Sequence, residues 1–277
     1  MSHRRTPGAY CERVDERLVP DRERPGAWIV RVAGTAQSYI DPDPAYLEFD
    51  YVQRVVDVID TAWPAGERIA VVHVGGGGLT IPRYIAHTRP TSAQIVLEPD
   101  ATLTEAVRAV APLPRHSGIK VRAVDGRTGV AGLRDAVADL VVVDAFAGAQ
   151  VPAELGTAEW FASVRRVLRP GGVVVMNLTD HAPFPYARRV VAGICTVGTP
   201  VVVGTEPSTL RGRRFGNLVA SAGAGVDPDV LERRGQMGAY PYHMMSGLEL
   251  DRWLAGAKPF TDADAVPSPL PGTPWLG

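Results

Sequence analysis

Three acidic residues each stand at the end of a short apolar run: Glu98 in "IVLEPD", Asp125 in "AVDG" and Asp144 in "VVVDAF". Upstream, the run "RIAVVHVG" ends in four consecutive glycines, Gly75, Gly76, Gly77 and Gly78. Glycines at such a place let the main chain come close to a ligand and leave its N–H groups free to donate. An ionised carboxylate about 20 residues past a glycine loop can accept from both hydroxyls of a ribose. An Asp one strand further on, followed by Gly126, can accept from an exocyclic amine, and an Asp-Gly pair also reads as a turn. A carboxylate held at the end of an apolar strand, beside Phe146, is a candidate base, and a loop or helix cap is its structural alternative.

Two familiar phosphate loops do not fit. The dinucleotide pattern GxGxxG needs a glycine where this chain has Thr80, and the GK[ST] ending of a nucleoside-triphosphate loop is absent. A glycine loop with three acids on successive strand ends instead matches the adenosine site of the S-adenosylmethionine-dependent class.

Positioning these groups requires strands that end side by side. "AQIVLEPD", "IKVRAVDG", "ADLVVVDAF", "GGVVVMNLTD" and "PVVVGT" follow the first strand, and helical stretches lie between most of them, among them "ATLTEAVRAVA", "TAEWFASVRRVL" and "FPYARRVVAGICTV". Unbroken apolar strands alternating with helices predict a doubly wound parallel α/β sheet, with ligands beyond the carboxyl ends of the strands. Ahead of it, "WIVRVAGTAQSYID" predicts a small β-hairpin. Residues 45–63 carry Leu47, Tyr51, Val55, Val58 and Ile59 at helical spacing. The expected division is 1–63, a polar arm over 1–25 with the hairpin and helix, and 64–277, a cofactor-binding unit with a C-terminal extension from about residue 206. In that extension "FGNLVASA" predicts a strand, "DPDVLERRG" a short helix and "HMMSGLELDRWLAGA" a last helix. The ending "VPSPLPGTPWLG" reads as irregular.

The chain has 277 residues, 45% of them hydrophobic, and a formal net charge of -1. That balance gives no reason to expect nucleic acid or an anionic membrane surface as a partner. Cys11 and Cys195 form no CxxC pair, no His/Cys/Asp/Glu group has metal-ligand spacing, and the charged start lacks the apolar core of a signal peptide. A soluble cytoplasmic protein without a metal is expected. Arg211, Arg213 and Arg214 read as a solvated loop, and His73 as a core histidine within a strand. Met244 and Met245 read as core residues on the last helix. His181, after Asp180, is a candidate acid–base group.

Several of these pieces together resemble the spermidine synthase (polyamine aminopropyltransferase) family, especially its divergent actinobacterial spermidine synthase-like group. They are Gln37 in "GTAQS", Tyr51, "HVGGGGLTIPRY" with Arg83, "LEPD", "VDG", "VVVDAF" and "LRPGGVVVMNL", and the match runs from "GTAQSYID" to "RGRRFGNLVAS". The resemblance implies a β-rich N-terminal piece before a Rossmann-like methyltransferase fold, assembled as a homodimer. It implies aminopropyl transfer from decarboxylated S-adenosylmethionine to an amine, releasing methylthioadenosine. On that reading Gln37 approaches the methionine-derived end of the donor, Glu98 holds the ribose, Asp125 the adenine, and Asp144 helps deprotonate the attacking amine. The chain departs from the family in three places. Gly78 stands where the family loop GGGDGG has its Asp, Ala147 stands where the catalytic loop has a second Asp, and a late tyrosine is missing around "STLRGRRFG". Losing the acid at 78 opens the loop to intact S-adenosylmethionine, so a small-molecule methyltransferase is an alternative. A non-catalytic nucleoside-binding homologue is another.

Overall fold

A computed structural model describes residues 15–32 and 34–272. Cys11 and most of the expected polar arm lie outside the described residues. The remainder of that arm holds a strand, β1 (Leu18–Pro20), which pairs antiparallel with β2 (Trp28–Val32); β2 in turn pairs with β3 (Thr35–Ile40). The expected hairpin is therefore part of a three-stranded sheet. Helix α1 (Asp50–Ala62) starts after Leu47 and buries Val52, Val55, Val56, Val58 and Ile59.

The second sheet is built from β4 (Ala70–Val74), β5 (Ala93–Leu97), β6 (Ile119–Arg122), β7 (Ala138–Val143) and β8 (Leu168–Asp180), all parallel to one another. Helices α2 (Thr80–Thr88), α3 (Ala101–Val110), α4 (Gly126–Ala131) and α5 (Ala158–Val167) connect them. After α6 (Pro185–Ile194) come β9 (Val201–Thr205), α7 (Pro207–Leu210), β10 (Gly216–Ala222), α8 (Pro228–Met237), β11 (His243–Ser246) and α9 (Gly247–Leu254). The spatial order is β11-β9-β10-β8-β7-β4-β5-β6. The chain runs outward from β4 in both directions, so the crevice for a ligand lies beside β4 at the ends of β4, β5 and β7.

Two sequence expectations change. The sheet is not all parallel: β10 slots between β8 and β9 and is antiparallel to both. Residues 243–246 form β11, not the start of the last helix, because "HMMS" pairs with β9 at the sheet edge before α9 begins. Met245 is still buried and Met244 packs against the core from this strand. Helices on the two faces bury two apolar clusters. One centres on Val141, Trp160, Phe161 and Val190, the other on Ile59, Val71, Leu140 and Val175. Leu79 joins a third cluster with Leu18, Val30, Ile40 and Val96, which fixes the small sheet onto the glycine loop. Among the described residues no helix is long and apolar enough to cross a membrane.

The Pro-rich ending is irregular but firmly held around Ser268. That residue is fully buried; its Oγ accepts from Val151 N at 2.9 Å and lies 3.2 Å from Thr179 Oγ1. Arg127–Asp262 and Arg189–Asp264 ion pairs tie the approach to it onto α4 and α6.

Candidate active site

The glycine loop is shaped first by the protein around it. Gly75 has φ +92°, and a Cβ there would fall 2.2 Å from the backbone oxygen of Asp144. Only glycine allows β4 to turn so close under the end of β7. At Gly76 a Cβ would meet Glu98 Cβ at 3.0 Å, and at Gly78 it would meet Ser38 Oγ and Ile40 Cγ1 at 2.8 Å. Ser38 also lies 3.1 Å from Thr80 Oγ1, which donates to Tyr39 O at 2.6 Å. Side chains of β3 therefore close over Gly78, and a longer side chain at 78 would have to displace them. Leu79 takes the left-handed conformation (φ 60°) that costs an L-residue about 1–2 kcal/mol, against which stands its almost complete burial.

The loop amides are not bare. Glu98 Oε2 accepts from Gly76 N at 2.8 Å and Gly77 N at 3.2 Å, while its Oε1 accepts from Asp100 N at 2.9 Å. The carboxylate thus occupies the donor cradle that could have favoured an anionic ligand. Oε2 thereby uses both its lone pairs, while Oε1 keeps one for a hydroxyl.

A cavity of about 190 Å³ opens here, lined by Gln37, Gly75, Gly76, Gly77, Glu98 and Asp144 among others. These are six of the nine sequence-predicted site residues. Gly78, Asp125 and Gly126 do not line it. Asp125 caps α4, its Oδ1 accepting from Thr128 N at 2.8 Å, a bond that holds the carboxyl below its usual range. Gly126 is buried beneath β4, where a Cβ would fall 2.3 Å from Val74 Cγ1.

His73 also lines the cavity. Its Nε2 lies 2.9 Å from Gln94 Oε1, and Gln94 Nε2 in turn donates to Pro82 O. Burial lowers its pKa to about 4, so the ring is neutral near neutral pH and donates through Nε2. Acids outnumber cations on this wall: Glu98, Asp100 and Asp144 line it, and neither Lys nor Arg does. Asp100 pairs with Arg17 at 2.5 Å; among the described residues Glu98 and Asp144 have no cationic partner.

Asp144 lines this cavity, and its two hydrogen-bond partners, Tyr51 and Asn177, line a second one of about 240 Å³. The two share Gln37, Tyr51 and Phe146 as common walls. Asp144 Oδ1 accepts from Asn177 Nδ2 at 3.0 Å, and Oδ2 from the Tyr51 hydroxyl at 3.3 Å. Burial pushes the Asp144 carboxyl above its ordinary value, against the pull of those two donors. Burial and the Asp144 charge push the Tyr51 phenol well up, so it stays a protonated donor. The second cavity is walled by Phe49, Tyr51, Phe146 and Phe215, with Asp50, Asn177 and Pro271. Tyr51 stacks on Phe49, their ring planes 13° apart.

Sequence patterns alone do not single out Asn177, Asp50 and Phe215. Asn177 carries a signal, as the one amide in the apolar run "VVVMNL". His181 lines neither cavity; its ring lies against Phe215, and Asp180 is buried accepting from His181 N and Ala187 N. Of the arginine run, Arg214 pairs with Glu206.

No protein-family model matches the chain. The polyamine aminopropyltransferase of Vibrio vulnificus is 30% identical over 157 residues, 53% of this chain and 51% of that protein. The one from Chromobacterium violaceum is 27% identical over 145 residues, 52% and 54% respectively. The chain thus spans about half the length of the curated relatives it matches. The crystal structure of a probable spermidine synthase from Corynebacterium glutamicum superposes with a TM-score of 0.82 at 28% identity, over 88% of this chain and 92% of that one. Spermidine synthase from Thermotoga maritima (TM-score 0.54, 18% identity, 82% and 76%) and human methyltransferase-like protein 13 in complex with SAH (0.52, 18%, 76% and 93%) share the fold. The sheet is therefore the Rossmann-like sheet of the S-adenosylmethionine-dependent methyltransferases, and the chain is similar to the spermidine synthase family, in sequence over about half its length and in fold over most of it.

Proposed function

We propose that the protein is a spermidine synthase-like aminopropyltransferase, with a decarboxylated S-adenosylmethionine donor in the first cavity and a small amine acceptor in the second. The observation that carries this is that Asp144, in the wall of the first cavity, is hydrogen-bonded to Tyr51 and Asn177 in the wall of the second, the two cavities sharing Gln37, Tyr51 and Phe146. A group transfer between two substrates needs such a shared wall, with a proton acceptor beside it.

The donor supplies a sulfonium with an activated methylene carbon. An alkylammonium has no lone pair and cannot attack it, so the acceptor must first be neutral. The Asp144 carboxylate first takes a proton from the ammonium; the neutral nitrogen then bonds to the methylene carbon as the carbon–sulfur bond breaks and its electron pair stays on sulfur, leaving methylthioadenosine and a secondary ammonium product. Tyr51 and Asn177 hold the carboxylate in place. Glu98 is positioned to accept from a ribose hydroxyl through Oε1, Asp125 is assigned to the adenine at the rim, and Gln37 to the donor tail. The family resemblance supports a homodimer, and the cysteine usage a cytoplasmic setting.

The charge of the first cavity favours the decarboxylated donor over intact S-adenosylmethionine. Two unpaired carboxylates suit a ligand carrying a sulfonium and an ammonium. Intact S-adenosylmethionine adds a carboxylate, which meets Asp144 and finds the Gly76 and Gly77 amides already engaged by Glu98. Calorimetry with the two donors tests this. The decarboxylated form is expected to bind about tenfold tighter or better. Equal affinity, or preference for the intact form, would contradict the donor assignment and favour methyl transfer.

A further inference from the structure

Ala147 removes one carboxylate from the loop after β7, yet the second cavity holds another that comes from a different element. Asp50 opens α1 and lines the aromatic-walled cavity. Its Oδ1 accepts from Tyr51 N at 2.9 Å and its Oδ2 from the Tyr242 hydroxyl at 3.1 Å. Those bonds fix the carboxylate, and with Glu206 also hydrogen-bonded to it one lone pair remains for another donor.

Asp50 has an acidic neighbour outside the cavity. Glu206 is hydrogen-bonded to it; burial, together with that bond, raises the Glu206 pKa, and the only guanidinium paired with either among the described residues is Arg214, bound to Glu206. Arg54, whose guanidinium lies 5.7 Å from the Tyr242 ring, is committed to Asp57 at 3.1 Å. Among the described residues Asp50 itself has no cationic partner. Four aromatic rings line the same cavity, and ring faces attract cations.

A second, independent feature points to a ligand in this space. Asn177 lines the cavity, is 2% exposed, and its Oδ1 has no hydrogen-bond partner. Its Nδ2 must face the Asp144 carboxylate, so Oδ1 is a buried acceptor awaiting an N–H.

We infer that Asp50 is the specificity-determining residue of the acceptor cavity: it holds a second cationic group of the amine, while the attacking nitrogen lies between Asp144 and Asn177 Oδ1. This deepens the aminopropyltransferase reading and rests on it. The carboxylate that the loop lacks at 147 is supplied by the first turn of α1.

The test is calorimetry on the full chain with methylthioadenosine filling the first cavity, titrating 1,4-diaminobutane and butylamine. The wild type is expected to bind the diamine about tenfold tighter or better than the monoamine. Asp50→Asn is expected to abolish that preference while leaving butylamine and methylthioadenosine affinities unchanged, and Asp50→Glu to retain it. Equal affinities in the wild type, or an undiminished preference in Asp50→Asn, would overturn the role of Asp50 while leaving the amine-acceptor reading standing. Binding of neither amine would overturn that reading, and Asp50's role with it. If Asp50→Asn loses methylthioadenosine binding as well, the substitution has disturbed the fold; the wild-type diamine-to-monoamine ratio and Asp50→Glu then decide.

Discussion

Asp144→Asn lowers turnover by about 10²–10⁴-fold and leaves donor binding nearly unchanged, because it removes the proton acceptor without changing its size. The amide could still meet Tyr51, but it would set two NH₂ groups, its own and that of Asn177, competing for one geometry. The pH profile carries a second signature. Burial raises the Asp144 pKa, so the carboxylate is ionised only above that raised value. Turnover should fall as pH drops through a value above the ordinary carboxylate range, and Asp144→Asn should lose that limb. The sign for stability is opposite. A carboxyl with a raised folded-state pKa binds its proton more tightly when folded, so its contribution is largest at low pH and is lost as pH rises through the folded value. Asp144 thus costs the fold stability under the conditions in which it can act as a base. Steady-state rates across pH for both proteins check the first claim; unchanged turnover in Asp144→Asn would remove the residue from the mechanism.

Gly75→Ala should destabilise the fold by about 3–5 kcal/mol, near the upper end for a single substitution. Two penalties coincide there: φ of +92°, and a Cβ that would fall 2.2 Å from the Asp144 backbone oxygen. The neighbour is backbone, so no rotamer change relieves the overlap. Gly66→Ala separates the two penalties. Gly66 has φ +87° with nothing within 4 Å of an added methyl, so only the conformational cost of about 1–2 kcal/mol applies. Urea denaturation of both variants measures the difference. Equal losses would mean that β4 and β7 can separate freely, which would make the position of Asp144 far less fixed than its packing implies.

The strand ends are legible in the sequence because buried parallel strands are unbroken apolar runs, and each announces its terminal acid. That is why the chain's own pattern places Glu98 and Asp144 beside the glycines. The reason for the glycines is not legible there. Gly75 and Gly78 are small chiefly because Asp144's backbone and Ser38 approach them, and those neighbours are 69 and 40 positions away in sequence. Gly126 is likewise a packing glycine under Val74, which a DG pair in sequence does not distinguish from a turn. The strand β11 is hidden because "HMMS" runs directly into a helical pattern and only pairing with β9 makes it extended. Asp50 is hidden for another reason. An acid in the first turn of a helix already has a local explanation in the helix dipole, and nothing in the sequence places it on the same cavity wall as Asn177.

Mass spectrometry of a single reaction tests the central claim most directly: the protein, decarboxylated S-adenosylmethionine and 1,4-diaminobutane, with intact S-adenosylmethionine in a parallel reaction. Asp144, in the first cavity and bonded to Tyr51 and Asn177 of the second, predicts methylthioadenosine and an aminopropylated diamine in equal amounts from the first reaction, and no methylated product from the second. Absence of methylthioadenosine from the first, or formation of S-adenosylhomocysteine with a methylated amine in the second, would contradict it.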